Sequence, residues 1–373
     1  MKCSLEDATR RDALAAIASG VVASCPGTSR AGAADYVDQI RPGAIWPDNN
    51  GIHINAHGGG VLHHGDRYWW FGEHKTRGKG GNVANVGVHV YSSRDLCNWR
   101  DEGIALKVSP DPSSDIARGC ILERPKVLYN PRTSKFVMWF HLELKGEGYK
   151  AARAGVAVSD SPAGPYEYLR SGRVNPGIWP VNAAPADKLP GTILARDFAG
   201  GQMARDMTLF LDDDGRAYHI YASEENQTLQ VARLADNWLH HDGSYARILP
   251  GLSNEAPAIF KARGRYFLFA SGTTGWAPNP ARLYAAEHIF GPWTSLGNPV
   301  RGSQEQVATT FMGQSSFVLP LPPSDADGQR FVFMADRWRP TNAIDGRYIW
   351  LPIDWEGDHP VLRWQDRWTI TSG

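Results

Sequence analysis

The sequence predicts an all-β fold, a five-bladed β-propeller, from three observations. A strand–turn–strand unit recurs five times between residues 55 and 335. Each unit turns on Gly, Asp, Asn or Pro and continues into an aromatic-rich strand. No long 3.6-residue period survives the 39 Gly and 25 Pro spread along the chain. The 373 residues suffice for one large core or two ordinary domains. We assign residues 36–373 to a single propeller and 1–35 to a leader.

In the leader, Arg10-Arg11 precedes a mild apolar run from Ala13 to Ala23, and then Ser24-Cys25-Pro26. A basic pair, a short apolar stretch and small residues describe an export signal and flexible leader. The twin arginine suggests the bacterial twin-arginine route, and Val22-Ala23-Ser24-Cys25 looks like a lipoprotein box with Cys25 as the lipid acceptor. The expected destination is periplasmic or extracellular. The run is too short to span a bilayer, so no transmembrane segment is expected.

The five opening strands are Gly60 to Leu62, Lys126 to Tyr129, Met207 to Leu211, Ala258 to Lys261 and Ser316 to Leu319. Their turns are His64-Gly65-Asp66, Asn130-Pro131, Asp213-Asp214-Gly215, Arg263-Gly264 and Asp327-Gly328. The second strands are Tyr68 to Phe71, Phe136 to Phe140, Tyr218 to Tyr221, Tyr266 to Phe269 and Phe331 to Met334. Third strands follow at Val86 to Ser92, Ala154 to Ser159, Leu229 to Leu234 and Arg282 to Ala286. Trp99, Tyr166, Trp238 and Trp293 then mark the outer edges of four-stranded blades. Closure is expected between the region before His53 and the tail from Val361 to Ile370. Hairpins alone also permit a two-sheet sandwich.

The chain has 39 basic and 39 acidic side chains. That balance gives no support for a nucleic-acid partner, which calls for a basic footprint. Beyond the leader only Cys97 and Cys120 remain, and a bridge or two buried thiols fit equally.

A propeller directs its innermost strands at an axial cavity, where polar side chains are costly unless wetted or hydrogen-bonded. Each unit nevertheless opens on polar residues: Asn55-Ala56-His57, Glu123-Arg124-Pro125-Lys126, Arg205-Asp206, Asn254-Glu255 and Gln314-Ser315-Ser316. Crowded carboxylates drive their pKa values apart, so that one of Glu123, Asp206 and Glu255 keeps a proton. Cleavage of a glycosidic bond needs such an acid. The competing reading is that these groups pair with Arg124, Lys126 and Arg205 to hold blades together. Gly58-Gly59-Gly60 lacks the patterns of a nucleotide loop and points to close backbone packing. His57 has no second His at metal-binding spacing, so water or ligand contact is expected there rather than zinc. No cofactor or metal is expected to be required. Asp212-Asp213-Asp214-Gly215 is the one calcium-like segment, but it falls where a hairpin turn is needed. Trp179 and Trp276, in Gly- and Pro-rich loops, are either sugar platforms or loop packing.

The segments Ile54-Asn55-Ala56-His57-Gly58-Gly59-Gly60, Glu123-Arg124-Pro125-Lys126-Val127-Leu128-Tyr129-Asn130, Ala204-Arg205-Asp206-Met207 and Asn254-Glu255-Ala256-Pro257 resemble glycoside hydrolase family 43 over roughly residues 45–365. With Met138-Trp139-Phe140-His141 they look most like its exo-β-1,3-galactanase branch. The resemblance implies a five-bladed, inverting enzyme acting on a polysaccharide or oligosaccharide. It makes Glu255 the general acid, with Asp206 tuning and orienting it. The family's usual blade-one Asp base is replaced here by Asn55. Gln314 would stand near the attacking water, positioning it or acting as an imidic acid, and Glu123 would contact the terminal sugar, with Glu123 as the base itself left open. Asn55, His57, Arg124, Trp179 and Trp276 complete the expected substrate contacts. The inserts 141–152 and 172–202 are expected to wall the pocket. The same family contains β-xylosidases and α-L-arabinofuranosidases, and the missing blade-one Asp leaves a non-catalytic sugar-binding propeller open.

Overall fold

A computed structural model describes residues 37–324 and 328–370. The leader assignments, including Arg10-Arg11 and Cys25, lie outside the described residues. Among the described residues, no helix is long and apolar enough to cross a membrane.

The described strands form five blades, antiparallel except for one short parallel pairing in blade five. Blade one is β1 (His57–His64), β2 (Arg67–Lys75), β3 (Asn85–Ser93) and β4 (Arg100–Lys107). Blade two is β5 (Ile121–Asn130), β6 (Lys135–Glu143), β7 (Arg153–Ser159) and β8 (Glu167–Gly172). Blade three is β9 (Met207–Leu211), β10 (Ala217–Ser223), β11 (Thr228–Leu234) and β12 (His241–Ile248). Blade four is β13 (Asn254–Ala262), β14 (Arg265–Gly272), β15 (Arg282–Ala286) and β16 (Thr294–Gly297). Blade five begins with β17 (Val300–Arg301) and holds β18 (Gln314–Ser324), β19 (Gly328–Arg337), β20 (Arg347–Glu356) and β21 (His359–Arg363).

The second strand of each blade is largely buried on both faces because both faces are covered. Successive side chains point to opposite sides of a strand. In β6, Phe136, Met138 and Phe140 pack toward blade one, while Val137 and Trp139 pack toward blade three. In β2, Trp70 joins Trp46, Trp99 and Trp350 against blade five, and Phe71 faces blade two. Five apolar clusters fill the five blade-to-blade interfaces in turn. That cyclic arrangement replaces the two-sheet alternative.

Closure falls where the sequence placed it: Ile40 and Trp368 exchange backbone hydrogen bonds of 2.8 and 3.0 Å. Two features of blade five were missed. β20, which contains Pro352, is its third strand, and β17 adds in parallel to β21. Cys97 and Cys120 are buried free thiols in different clusters. At the acidic turn, Asp212 pairs with Lys261 at 2.7 Å and its backbone closes the hairpin onto Arg216.

Candidate active site

Four of the five innermost strands break register where they meet the axial cavity. The irregularities fall between His57 and Gly60, Glu123 and Lys126, Glu255 and Ala258, and Ser315 and Phe317. A bulge bends its strand and re-aims the side chains beside it. Arg124 and Ala256 take positive φ values of 55° and 53° at these points. Gly59 shows why blade one needs glycine here: a Cβ would lie 1.7 Å from the Phe71 carbonyl oxygen of β2. In blade three, Asp206 stands just before β9, its carbonyl accepting the Ala222 N–H at 2.9 Å.

These distortions bring Glu123, Arg124, Asp206, Glu255 and Gln314 to one cavity of about 350 Å³. Arg124 is its hub. Its guanidinium donates to Asp206 Oδ2 at 2.9 Å, Gln314 Oε1 at 2.7 Å and the Ser315 carbonyl at 3.0 Å. Asp206 Oδ2 also accepts the backbone N–H of Ala256 at 3.1 Å, which ties it to the residue following Glu255. Glu255 Oε1 accepts from Asn226 Nδ2 at 2.7 Å. Burial and the nearby charge of Asp206 push the Glu255 carboxyl up to about 7, against the pull of Arg124.

Gln314 is fixed by its partners. Its Oε1 accepts from both Arg124 and Trp338 Nε1, the latter at 2.9 Å, and its Nε2 donates to Ser271 Oγ at 2.9 Å. Flipping the amide would set donor against donor on the first two contacts. Both oxygen lone pairs are engaged, so the amide has a second N–H to offer a ligand.

Glu123 is a different kind of carboxylate. Its Oε2 lies 3.1 Å from His141 Nδ1, and its Oε1 accepts from the Tyr149 hydroxyl at 2.8 Å. Burial opposes ionisation, but the hydrogen bond and charge of His141 outweigh it and hold the carboxyl down at about 2. Ligand atoms of Glu123, His141 and Asp206 lie within 4.8 Å of one another. His141 Nδ1 is engaged with Glu123 and Asp206 with Arg124, so all three groups take part in ion pairs.

Of the other expected contacts, Arg124 and Trp276 line the cavity. Three do not. The Asn55 amide is spent on the Lys75 backbone, accepting at 2.9 Å and donating at 2.8 Å, so it substitutes for a strand pairing. His57 is sealed against Tyr348, ring centroids 5.4 Å apart, with Nδ1 3.7 Å from Asp336. Trp179 stacks on Phe198 at 4.1 Å within its own insert, the packing outcome for that loop. The insert 172–202 contributes no lining side chain, whereas the loop after β6 contributes Tyr149. Residues the sequence reading passed over are Glu73, Tyr149, Asn226 and Trp338. Glu73 lies in β2 just after its apolar run from Tyr68 to Phe71, where a carboxylate is a usable signal. Trp338 follows β19 and is indistinguishable by sequence from the many core tryptophans.

The profile of "Glycosyl hydrolases family 43" matches residues 186–359. Among solved structures, the chain is similar to a family 43 β-1,3-galactosidase determined with galactodeoxynojirimycin, at 52% identity and a TM-score of 0.84, covering 89% of this chain and 100% of that one. It is similar to an exo-β-1,3-galactanase from Phanerochaete chrysosporium determined with β-1,3-galactotriose, at 34% identity and a TM-score of 0.75, covering 89% and 68%. An exo-β-1,3-galactanase from Clostridium thermocellum gives 33% identity and a TM-score of 0.75, covering 89% and 66%. A search of curated protein sequences found no match.

Proposed function

The chain belongs to glycoside hydrolase family 43, and from that premise we propose that it releases galactose from the non-reducing end of β-1,3-galactan, the main chain of arabinogalactan, with inversion at the anomeric carbon. The observation that carries the reading is Glu255, a carboxyl raised to about 7 beside the ion-paired Asp206 in a cavity shared with an ionised Glu123.

Glu255 donates its proton to the leaving glycosidic oxygen. Asp206 keeps that proton in place by its charge and, through the Ala256 N–H, holds the strand that carries Glu255. Glu123 is too weakly basic to take a proton readily. It serves as a permanent anion accepting hydrogen bonds from the terminal sugar. Gln314 positions the attacking water through its second N–H. With an oxocarbenium-like transition state, the water oxygen bonds to the anomeric carbon as the glycosidic bond breaks, and the proton it then sheds passes to solvent water, which stands in for a strong base. The relatives' β-1,3-galactosidase and β-1,3-galactanase activities support galactose as the unit released. Tyr149, bonded to Glu123 and to Asn82, closes one side of the cavity, as an enzyme that accepts only a chain end requires. We further propose that the enzyme works outside the cytoplasm, on the strength of its Arg10-Arg11 leader.

Proton NMR of the first product tests this. α-Galactose released from β-1,3-galactan is expected. β-Galactose would overturn inversion. Turnover of aryl xylosides or arabinofuranosides, without turnover of the galactan, would overturn the substrate.

A further inference from the structure

Glu123 is gripped from behind by residues that do not belong to the reaction. In blade two, His141 of β6 stands directly opposite Glu123 of β5. Its Nδ1 lies 3.1 Å from Glu123 Oε2 and its Nε2 lies 2.9 Å from Glu143 Oε1. A ring with a carboxylate on each nitrogen must carry a proton on each to satisfy both, which makes it an imidazolium. The side chains of His141 and Glu143 are 1% and 0% exposed. Glu143 spends its other oxygen on the backbone N–H of Ala152 at 2.9 Å, at the far end of the loop that carries Tyr149. Tyr149 returns to Glu123 Oε1 at 2.8 Å. Strand and loop therefore meet on the two oxygens of one carboxylate.

We propose that His141 and Glu143 are positioning residues that hold Glu123 as a fixed anion facing the terminal sugar, with Glu143 coupling that hold to the Tyr149 loop. The proposal rests on the reading that ionised Glu123 binds the sugar. Other charges face this carboxylate. Lys75 of β2 and Arg124 of β5 favour its ionised form, Glu73 of β2 and Glu255 of β13 are coupled to it by like charge, an Asp206 oxygen lies within 4.8 Å, and Arg205 lies 4.0 Å from Glu143. Burial alone would raise the Glu123 carboxyl, yet it sits at about 2, while His141 is raised to about 9 against its own burial. Without the imidazolium, Glu123 is a buried carboxyl in a cavity with three others, Glu73, Asp206 and Glu255, and it takes up a proton within the working pH range.

The test is kcat/KM against pH on a β-1,3-galacto-oligosaccharide for the full chain and for H141Q, E143Q and E123Q. The unaltered protein is expected to show no acidic limb at mildly acidic pH. H141Q is expected to bring one into view, losing about tenfold or more for each unit its Glu123 carboxyl is raised above the assay pH, and recovering toward neutrality. E143Q is expected to shift the limb the same way and less far. Profiles of H141Q and E143Q that show no new acidic limb, in proteins with unchanged melting temperature, would overturn the proposal. If H141Q does not fold, nitrogen-15 NMR of the unaltered protein decides: protons on both His141 nitrogens near pH 7.5 support the imidazolium, and a neutral ring overturns it. E123Q separates the two readings. Full activity in E123Q would sink the sugar-anchoring role itself. An inactive E123Q beside an unshifted H141Q would sink only the role of His141.

Discussion

At the scale of single residues, the chemistry divides between two carboxyls held at opposite ends of the range. Glu255 is protonated below about 7 and is an acid only in that form, so activity should fall above that pH. The charge of Asp206 contributes to that elevation and the charge of Arg124 opposes it. Asp206→Asn should therefore lower the Glu255 pKa and move the alkaline limb of kcat/KM toward acid, which a pH–rate series reads directly. Glu255→Gln should cost about a hundredfold to ten-thousandfold on galactan, yet far less on a dinitrophenyl galactoside, whose leaving group needs no proton. An equal loss on both substrates would remove Glu255 from the acid role. Gln314→Ala should lose turnover and regain part of it with azide, giving an α-galactosyl azide; a variant unmoved by azide would argue against Gln314 acting on the nucleophile. Glu123, Asp206, Glu255 and Gln314 were legible because polar residues recur in phase at the start of inner strands. Asn55 and His57 share that phase and still miss the cavity. Asn55 precedes the strand and pairs with backbone, and His57, at the same register position as Glu123 and Glu255, is held away by its stacking on Tyr348 and its approach to Asp336. Phase reports position along a strand, not which neighbours claim the side chain.

At the scale of elements, the inner-strand bulges convert a regular blade into a reactive one, and blade one depends on glycine to make its bulge. Gly59 has an ordinary backbone conformation, but a Cβ there would collide with the rigid Phe71 carbonyl at 1.7 Å. Gly58 has φ +60°, and its Cβ would meet the movable Glu73 carboxylate at 2.5 Å. Gly59→Ala should accordingly lower stability by about 3–5 kcal/mol, seen as a drop in denaturation midpoint. Gly58→Ala should show its main loss in turnover, through displaced Glu73, whose Oε1 accepts the Arg124 backbone N–H at 3.0 Å. The reverse ranking would mean the bulge is not what blade one builds with its glycines. The hairpins were readable because turn residues and aromatic strands alternate in sequence. β17 was not, since two residues pairing in parallel with a strand about sixty positions away leave no local pattern.

At the scale of the whole molecule, five-fold repetition predicts a ring but says little about what locks it. Within each of the first four blades the strand pairing joins consecutive segments, so the non-local constraint concentrates at closure. Ile40 and Trp368 pair across the length of the chain, and Trp368 also donates its indole N–H to the Trp350 carbonyl at 2.8 Å. Trp368 is buried in the cluster that joins blade five to blade one, with Trp46, Trp70, Trp99 and Trp350. This interface carries Gln314 and Trp338 on one side and Gly58 and Glu73 on the other, so the cavity is completed only when the ring shuts. Trp368→Ala should thus cost about 3–5 kcal/mol and lower the melting temperature, although the residue lies outside the cavity lining. If the ring unfolds as one unit, loss of galactan turnover and loss of tertiary circular dichroism should coincide on heating this variant. Activity lost well before the tertiary signal would show instead that blades one and five part locally while the other interfaces hold, and that the site is governed by closure rather than by global stability.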